Sequence, residues 1–487
     1  MCGISGVILP RNTTDQAIVQ IALCVQSALQ GRGDQANGIA VFQPSGVSVT
    51  KTSGSLRRLR REIEGRDSSG SIAVAHCRYG TEGNGDDANI QPFVSGIENL
   101  ALAHNGEIVR AADIRSQLEA EGECFQATSD TAVVLKLLER TQGNDPISRL
   151  ISVLNTLPPA YALVVAWDGY LMAACDPFAV HPLCLGKLPN GGYIFASEDT
   201  AIRAAGGRVL NDVKGGQVIA ISPELEISKF RLGSQDNQSC SCSFNFMYTA
   251  QPSSKLWDRS VTNVRKALGG ALLKELVERE KLPQLDVVVP VLDSGRTHTL
   301  EFCRALFQHR IAELLKTGGE EALLHAEPST LHLFDFGINR ARDPLRSFMR
   351  PSQSQRDGEI GLKHFADPAV VKGRRVGVGD DTLVRGTTAK RIVKMLRDAG
   401  ATEVHFLIFA PLIRHACPLG GMENKELGLL KGRTHTPEKL RDHIQADSLN
   451  ILSRDAFERV INAHGHTCCT GCIGGSFPPG ISEAVLK

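Results

Sequence analysis

The spacing of apolar residues changes once along this 487-residue chain, across the polar stretch Gly233 to Ser241. No single sheet type suits both sides of that change. Before it, short apolar runs (Ile4 to Leu9, Ile72 to His76, Leu100 to His104, Tyr161 to Trp167) are separated by turns rich in Gly, Asn and Asp, and Thr14 to Leu29 reads as a helix. Strands outnumber helices, which predicts an α+β layered domain. After it, continuous apolar runs at Asp286 to Leu292, Arg375 to Val378 and Val404 to Phe409 suit buried parallel strands. Helical text at Asp258 to Glu280 and Thr387 to Asp398 lies between them. Such alternation predicts a doubly wound α/β domain. The polar stretch reads as the linker, giving domains at 2–235 and 250–487. Ala341 to Asp357 is polar, basic and poorly periodic, and reads as a mobile loop.

Lys and Arg total 54 against 53 Asp and Glu, a net charge of +1. That balance argues against general binding to nucleic acid or a membrane surface. No apolar run approaches the roughly 20 residues of a membrane span. Met1-Cys2-Gly3-Ile4-Ser5-Gly6 has no basic region ahead of an apolar stretch, so a secretory signal is not expected and a cytoplasmic location is. The 13 cysteines are an odd count in a chain without an export signal. They argue for reduced, catalytic or metal-bound thiols rather than a disulfide framework.

Cys2 follows Met1 directly. Removal of Met1 would leave an α-amine of pKa about 8 beside the thiol, able to act as its general base. Four further groups end strands or start helices: Arg32-Gly33-Asp34, His76-Cys77-Arg78-Tyr79-Gly80-Thr81, His104-Asn105-Gly106-Glu107 and Ser129-Asp130-Thr131. Together they supply a thiol, an Arg for a carboxylate, an Asp for an ammonium and an Asn-Gly pair for an oxyanion. That set matches glutamine. An inert thiol and surface charges are the plainer reading of each residue taken alone. As a set they resemble the class II glutamine amidotransferase domain, an N-terminal-nucleophile hydrolase of αββα layers. The resemblance implies Cys2 as nucleophile, Arg78 as carboxylate clamp, Asp130 as the amine ligand, and Asn105 with the Gly106 backbone as oxyanion hole. Arg32 and Thr81 match positions lining the pocket.

In the second half, an apolar strand from Arg375 delivers Asp380 and Asp381, then Thr382, Arg385, Gly386, Thr387 and Thr388 lead into a helix. Backbone N–H groups at a helix start, beside Thr hydroxyls, cradle a phosphate. The acids can hold ribose hydroxyls or a hydrated Mg²⁺. A solvated strand end and an ordinary helix cap are the plainer readings. The spacing is not that of a Walker loop. The element resembles the PRPP loop of type I phosphoribosyltransferases, an α/β fold. Asp293-Ser294-Gly295 resembles a pyrophosphate-side loop. Taken whole, the chain resembles the glutamine phosphoribosylpyrophosphate amidotransferases. That resemblance implies glutamine and PRPP as substrates, Mg²⁺, ammonia as the transferred species and a homo-oligomer, dimer or tetramer.

One segment departs from that family. Arg340-Ala341-Arg342-Asp343-Pro344-Leu345-Arg346-Ser347-Phe348 keeps Arg342 and Arg346 for PRPP but carries Ala341, Asp343 and Leu345 where the family has Asn, Tyr and Gly. Loss of Gly stiffens such a loop, and an added acid weakens its attraction for pyrophosphate. Cys175, His181 and Gly31 also depart from the family's usual residues. A different phosphosugar or acceptor is therefore an alternative reading. A PRPP-sensing regulator is a third, opposed by the intact glutaminase set.

Cys468-Cys469-Thr470-Gly471-Cys472 contains a Cys-x₂-Cys, which alone reads as a redox pair, half a zinc site or chance. In the iron–sulfur branch of the family, four cysteines at matching positions bind a [4Fe–4S] cluster; here these are Cys242, Cys417, Cys469 and Cys472. Four thiolates also suit zinc. Cys240 and Cys468 are their near neighbours. Cys24, Cys77, Cys124, Cys175, Cys184 and Cys303 are expected to be packing residues for the most part.

Overall fold

Cys2 precedes a strand, Gly3–Ile8, that is buried along its whole length. It lies inside a seven-stranded sheet, ordered from one edge Arg208–Asp212, Cys184–Lys187, Tyr193–Ala196, Gly3–Ile8, Ile72–Arg78, Ala36–Gln43, Gly46–Ser53. A six-stranded sheet faces it, ordered Ile227–Arg231, Gln217–Ile221, Tyr170–Cys175, Tyr161–Trp167, Leu100–Gly106, Phe93–Val94. Both are antiparallel. Ile4, Val74, Val164, Ala173 and Phe195 belong to the core between the sheets. The outer faces are covered by helices Ala17–Ala28 and Leu56–Ile63 on one side and Asp130–Arg140 and Pro146–Leu154 on the other. This is the expected αββα arrangement. Such strands read as continuous apolar runs because both faces of each sheet are covered.

The computed structural model describes residues 1–11, 17–66, 69–79, 87–233, 239–326, 333–340, 364–384, 386–420, 436–479 and 481. Thr81, Arg342, Arg346 and Arg385, with the loop expected at Ala341 to Asp357, lie outside them.

The second half carries a four-stranded parallel sheet, ordered Val287–Pro290, Arg375–Asp380, Glu403–Ile408, Ser448–Ile451. Its core gathers Val289, Val378, Ile392 and Phe406. The helix Thr387–Asp398 has the bounds the periodicity predicts. The strand Ser448–Ile451 was not anticipated; its residues are all half-buried and give no continuous apolar run.

The expected linker ends in a strand rather than a loop. Ser241–Cys242 pairs in parallel with Cys468–Cys469. The backbone N–H groups of Cys240 and Cys242 donate to Phe178 O and Val180 O at 2.7 and 3.0 Å. Those carbonyls are presented by a turn that the buried Asp176 organises, accepting from the N–H groups of Phe178 and Val180. Polar text there marked exposure, but neighbouring segments satisfy the backbone N–H groups of Cys240, Ser241 and Cys242. Among the six cysteines expected to pack, Cys124 is exposed and Cys24 half-buried; Cys77, Cys175, Cys184 and Cys303 are buried. No helix of the described residues is long and apolar enough to cross a membrane.

Candidate active site

The facing sheets meet at Cys2. Its backbone N–H donates to Asn105 Oδ1 at 3.0 Å. Asn105 stands at the end of Leu100–Gly106, on the opposite sheet. Its Nδ2 is buried and donates to nothing among the described residues. A buried amide N–H without a partner costs about 1–3 kcal/mol. Gly106 follows with φ +139°, and a Cβ there would stand 2.4 Å from Ala160 O. The turn therefore requires glycine.

Cys2, Arg78, Gly106 and Asp130 line one cavity of about 690 Å³. Asp130 begins the helix Asp130–Arg140, capped by Ser129, whose side chain accepts from Thr131 N. One Asp130 oxygen accepts from Ile108 N at 2.9 Å and lies 3.6 Å from His104 Nδ1. Burial raises this carboxyl, but His104 and the hydrogen bonds from Ile108 and Ser129 outweigh it and hold it at about 2. His104 carries no family motif role in the sequence reading, and only the fold brings it to Asp130.

Arg32 lines the neighbouring cavity between the two halves and is not among the residues lining the Cys2 cavity. Its guanidinium is fully buried and engaged by the protein. Nε donates to Cys2 O at 2.9 Å, Nη1 pairs with Glu198 at 2.8 Å, and Nη2 donates to Asn245 Oδ1 at 3.0 Å. It fixes the backbone of the nucleophile candidate. Asn245 begins a short π-helical turn, Asn245–Thr249. Arg265, from the helix Val261–Glu278, donates to the carbonyls of Phe246, Tyr248 and Ala250 at 2.8, 3.0 and 2.9 Å. Neither Asn245 nor Arg265 carried a sequence signal, because a buried Arg in a helix reads as a surface charge until its carbonyl partners are known.

The parallel sheet presents the second set at its carboxyl ends, where such sheets bind ligands. Asp380 ends its strand, half-buried, and Asp381 is buried. Thr382 Oγ1 donates to Asp381 Oδ1 at 2.8 Å, whereas Asp381 Oδ2 is buried and makes no hydrogen bond of good geometry among the described residues. Burial pushes both carboxyls up, and Asp381 raises Asp380 further. Gly386, at φ +72°, leads into Thr387–Asp398, whose N-terminus has no side-chain cap. Thr387 and Thr388 are exposed there. The arrangement places N–H donors beside two acids that burial holds raised. Gly295 precedes the helix Arg296–Leu324.

A cavity of about 470 Å³ lies between the two sets. Met1, Arg32 and Tyr79 line it from the first half, and Arg265, Asp293 and Ser294 from the second. Tyr79 also lines the Cys2 cavity, so one side chain borders both spaces.

Cys242 and Cys469 are register partners, and Cys472 lies on the short helical turn Gly471–Ile473. Cys472 O accepts from the N–H groups of Arg414 and His415, which carries the segment of Cys417 alongside. Burial pushes the Cys242 thiol up to about 12, with Cys417 the next cause. Cys469 and Cys472 are likewise raised by burial and by these same neighbours. The Cys242, Cys417, Cys469 and Cys472 thiols are near enough to raise one another, and a cationic group would favour their thiolates. Among the described residues, no three His, Cys, Asp or Glu side chains gather closely enough to hold a metal ion. No disulfide is formed among the described residues.

Residues 47–215 match the glutamine amidotransferase domain family. The chain is 31% identical to the amidophosphoribosyltransferase of Bacillus subtilis (strain 168), covering 100% of this chain and 97% of that one. The chain belongs to the amidophosphoribosyltransferase family. Among solved structures, the glutamine phosphoribosylpyrophosphate amidotransferase from B. subtilis complexed with ADP and GMP superposes with a TM-score of 0.82 at 30% identity, covering 98% of this chain and 97% of that one. A structure described as the allosteric regulatory enzyme of purine biosynthesis gives 0.84 at 30% identity, covering 100% and 98%. Membership in this family carries both folds, the N-terminal-nucleophile hydrolase and the phosphoribosyltransferase.

Proposed function

We propose that this chain hydrolyses glutamine at Cys2 and passes the ammonia to C1 of PRPP, giving 5-phosphoribosylamine, glutamate and pyrophosphate, the first step of purine synthesis. The observation that carries this reading is the unpartnered Asn105 Nδ2 in a buried site whose Oδ1 holds Cys2 N. Full-length similarity to amidophosphoribosyltransferases supports it. Removal of Met1 converts the Cys2 N–H into an α-amine. That amine takes the thiol proton and returns it to the leaving nitrogen. The thiolate attacks the amide carbon, and its oxyanion is met by Asn105 Nδ2 and Gly106 N. Ammonia leaves with formation of the thioester, and water then frees glutamate. Arg78 holds the substrate carboxylate and Asp130 its ammonium. Thr81 belongs to the same pocket by motif, and Arg32 is a positioning residue.

Ammonia is transferred neutral, through the cavity bordered by Tyr79 and Arg265, and displaces pyrophosphate at C1. Asp380 and Asp381 hold the ribose hydroxyls or the hydrated Mg²⁺ that bound PRPP brings. Thr382, Arg385, Gly386, Thr387 and Thr388 take the 5-phosphate. Asp293, Ser294, Gly295, Arg342 and Arg346 take the pyrophosphate side. Mg²⁺, when bound, screens the charge of the departing pyrophosphate.

Cys242, Cys417, Cys469 and Cys472 are proposed to hold a [4Fe–4S] cluster, which would tie the linker, the second domain and the C-terminus together without an electron-transfer role. Anaerobically purified protein should contain iron and acid-labile sulfide. Zinc in their place would overturn this assignment. The division at 2–235 and 250–487, a cytoplasmic location and a homo-oligomer complete the proposal, and light scattering reads the last.

Pyrophosphate release from PRPP, measured once with glutamine and once with an ammonium salt, tests the whole reading. Release with neither would sink it. The second reading, another phosphosugar or acceptor, rests on Ala341, Asp343 and Leu345 in the altered segment. It predicts glutamine hydrolysis without release of pyrophosphate from PRPP.

A further inference from the structure

The helix Leu56–Ile63 (Leu-Arg-Arg-Leu-Arg-Arg-Glu-Ile) breaks the usual rules of charge placement. It has no acid in its first turn and no side-chain cap, yet two arginines, Arg57 and Arg58, stand at that positive end. Arg57, Arg60 and Arg61 follow one another at i,i+3 and i,i+4 spacing, where like charges repel. Arg58 has a counter-charge, Glu62 at 3.1 Å. Arg57, Arg60 and Arg61 are exposed and make neither an ion pair nor a hydrogen bond among the described residues. Leu56, Leu59 and Ile63 anchor the opposite face in the core. A helix held by its apolar face can carry such repulsion, and local conflicts of this kind are expected where a ligand relieves them.

The arginines do not lie on a flat face. Arg57, Arg60, Arg61 and Arg66 line a concavity of about 590 Å³, against the single carboxylate of Glu64. Leu23 and Ile63 give it an apolar floor. Arg66 is steadied by donating to Thr50 Oγ1 at 3.3 Å. None of these residues lines the Cys2 cavity or the cavity between the two halves.

We infer that this concavity binds an organic oligophosphate, with the phosphate chain on the four guanidinium groups and the organic moiety against Leu23 and Ile63. Guanidinium forks match phosphate oxygens bidentately. The volume suits one molecule of nucleotide size. An isolated hollow on a chain of net charge +1 does not present the continuous basic stripe that a nucleic-acid strand requires.

The test is calorimetric titration of the full chain, with PRPP and Mg²⁺ saturating so that the phosphosugar site is filled. ATP and inorganic tripolyphosphate are the probes. One additional saturable site is expected, tighter for ATP than for tripolyphosphate. The variant Arg60→Ser/Arg61→Ser should weaken it at least about tenfold while leaving the melting temperature of the unliganded protein unchanged or raised. Arg60→Lys/Arg61→Lys, which keeps charge and loses the fork, should fall between the two. Equal affinity for both probes, lost in the Ser variant, still supports an oligophosphate site and makes the inorganic chain its ligand. No saturable binding up to about 1 mM, or binding unchanged in the Ser variant, overturns the inference. So does a single-stranded oligonucleotide that binds more tightly than ATP and is lost in that variant.

Discussion

Asp130 in the first half and the Asp380–Asp381 pair in the second carry opposite electrostatics. Burial works against the ionised form at both. At Asp130 it is outweighed by His104 and by hydrogen bonds, and the carboxyl sits at about 2. At Asp380 and Asp381 it wins, helped at Asp380 by the neighbouring acid, and both are raised. The first centre folds with its charge already compensated. The second folds with its charge only partly compensated, by Thr382 and Arg265 at Asp381, and burial prevails. Amide hydrolysis needs fixed dipoles in place before the substrate arrives. A phosphosugar brings its own hydroxyls and cation, so its site can be left incomplete.

Substitution can break this contrast. The largest effect is expected from Cys2→Ala, which should abolish glutamine-dependent pyrophosphate release, by at least about 10³-fold, and leave the ammonium-dependent rate intact. Loss of both rates would mean that the two centres are not separable. Asn105→Asp keeps an acceptor for Cys2 N but removes the buried donor. Glutaminase kcat should fall about 10²–10³-fold, with KM for glutamine changing far less.

Arg265→Met tests what joins the centres. It strands three buried or half-buried carbonyls of the turn that also holds Asn245. A stability loss of roughly 3 kcal/mol is expected by denaturant titration. Coupling through this turn also predicts that PRPP stimulates glutamine hydrolysis in the unaltered chain and not in this variant. Unchanged stimulation would show that the route from Asp293 to Cys2 bypasses this turn.

The smallest effects separate the acids directly. The folded pKa of Asp130 is depressed from 3.8 to about 2. Its contribution is therefore fully present above about pH 4 and is lost as pH falls toward 2, on the order of 2 kcal/mol. Asp130→Asn should lower the melting temperature at neutral pH and flatten the acid limb of the stability profile. Asp381→Asn should do the reverse for unliganded protein, raising the melting temperature by removing one of two adjacent buried charges, and should weaken PRPP binding. Equal shifts in the same direction would erase the contrast.

Much of this architecture is readable without coordinates. Tyr161–Trp167 and Thr387–Asp398 have the bounds that apolar spacing predicts, because strong local periodicity survives tertiary context. Cys2, Arg78, Asn105-Gly106 and Asp130 are recognisable as a set, since each sits at the end of a strand or the start of a helix. The segment Ser241–Cys242 and the strand Ser448–Ile451 were misread or missed. Both are short, and their pairing depends on Cys468–Cys469 and Glu403–Ile408, distant in sequence.

The two domains are joined by a contact that no local pattern announces. Gly420 adopts φ +81°, and a Cβ there would stand 2.8 Å from the Gly106 carbonyl carbon. Two residues described by their lack of a side chain thus meet across the halves, one beside Asn105 and the other three positions from Cys417. His181 Nε2 reaches Leu419 O at 2.8 Å in the same place.

By itself the sequence determined the two sheet types, the thiol at position 2 and the acid pair before a Gly-Thr-Thr helix start, because each depends on periodicity or spacing within a short window. Only the tertiary structure decided that Arg32 holds the Cys2 backbone, that His104 depresses Asp130, and that Arg57, Arg60 and Arg61 border a hollow. The reason is physical. A charge's role depends on what surrounds it through space, and burial and Coulomb interactions are set by neighbours that chain order does not reveal.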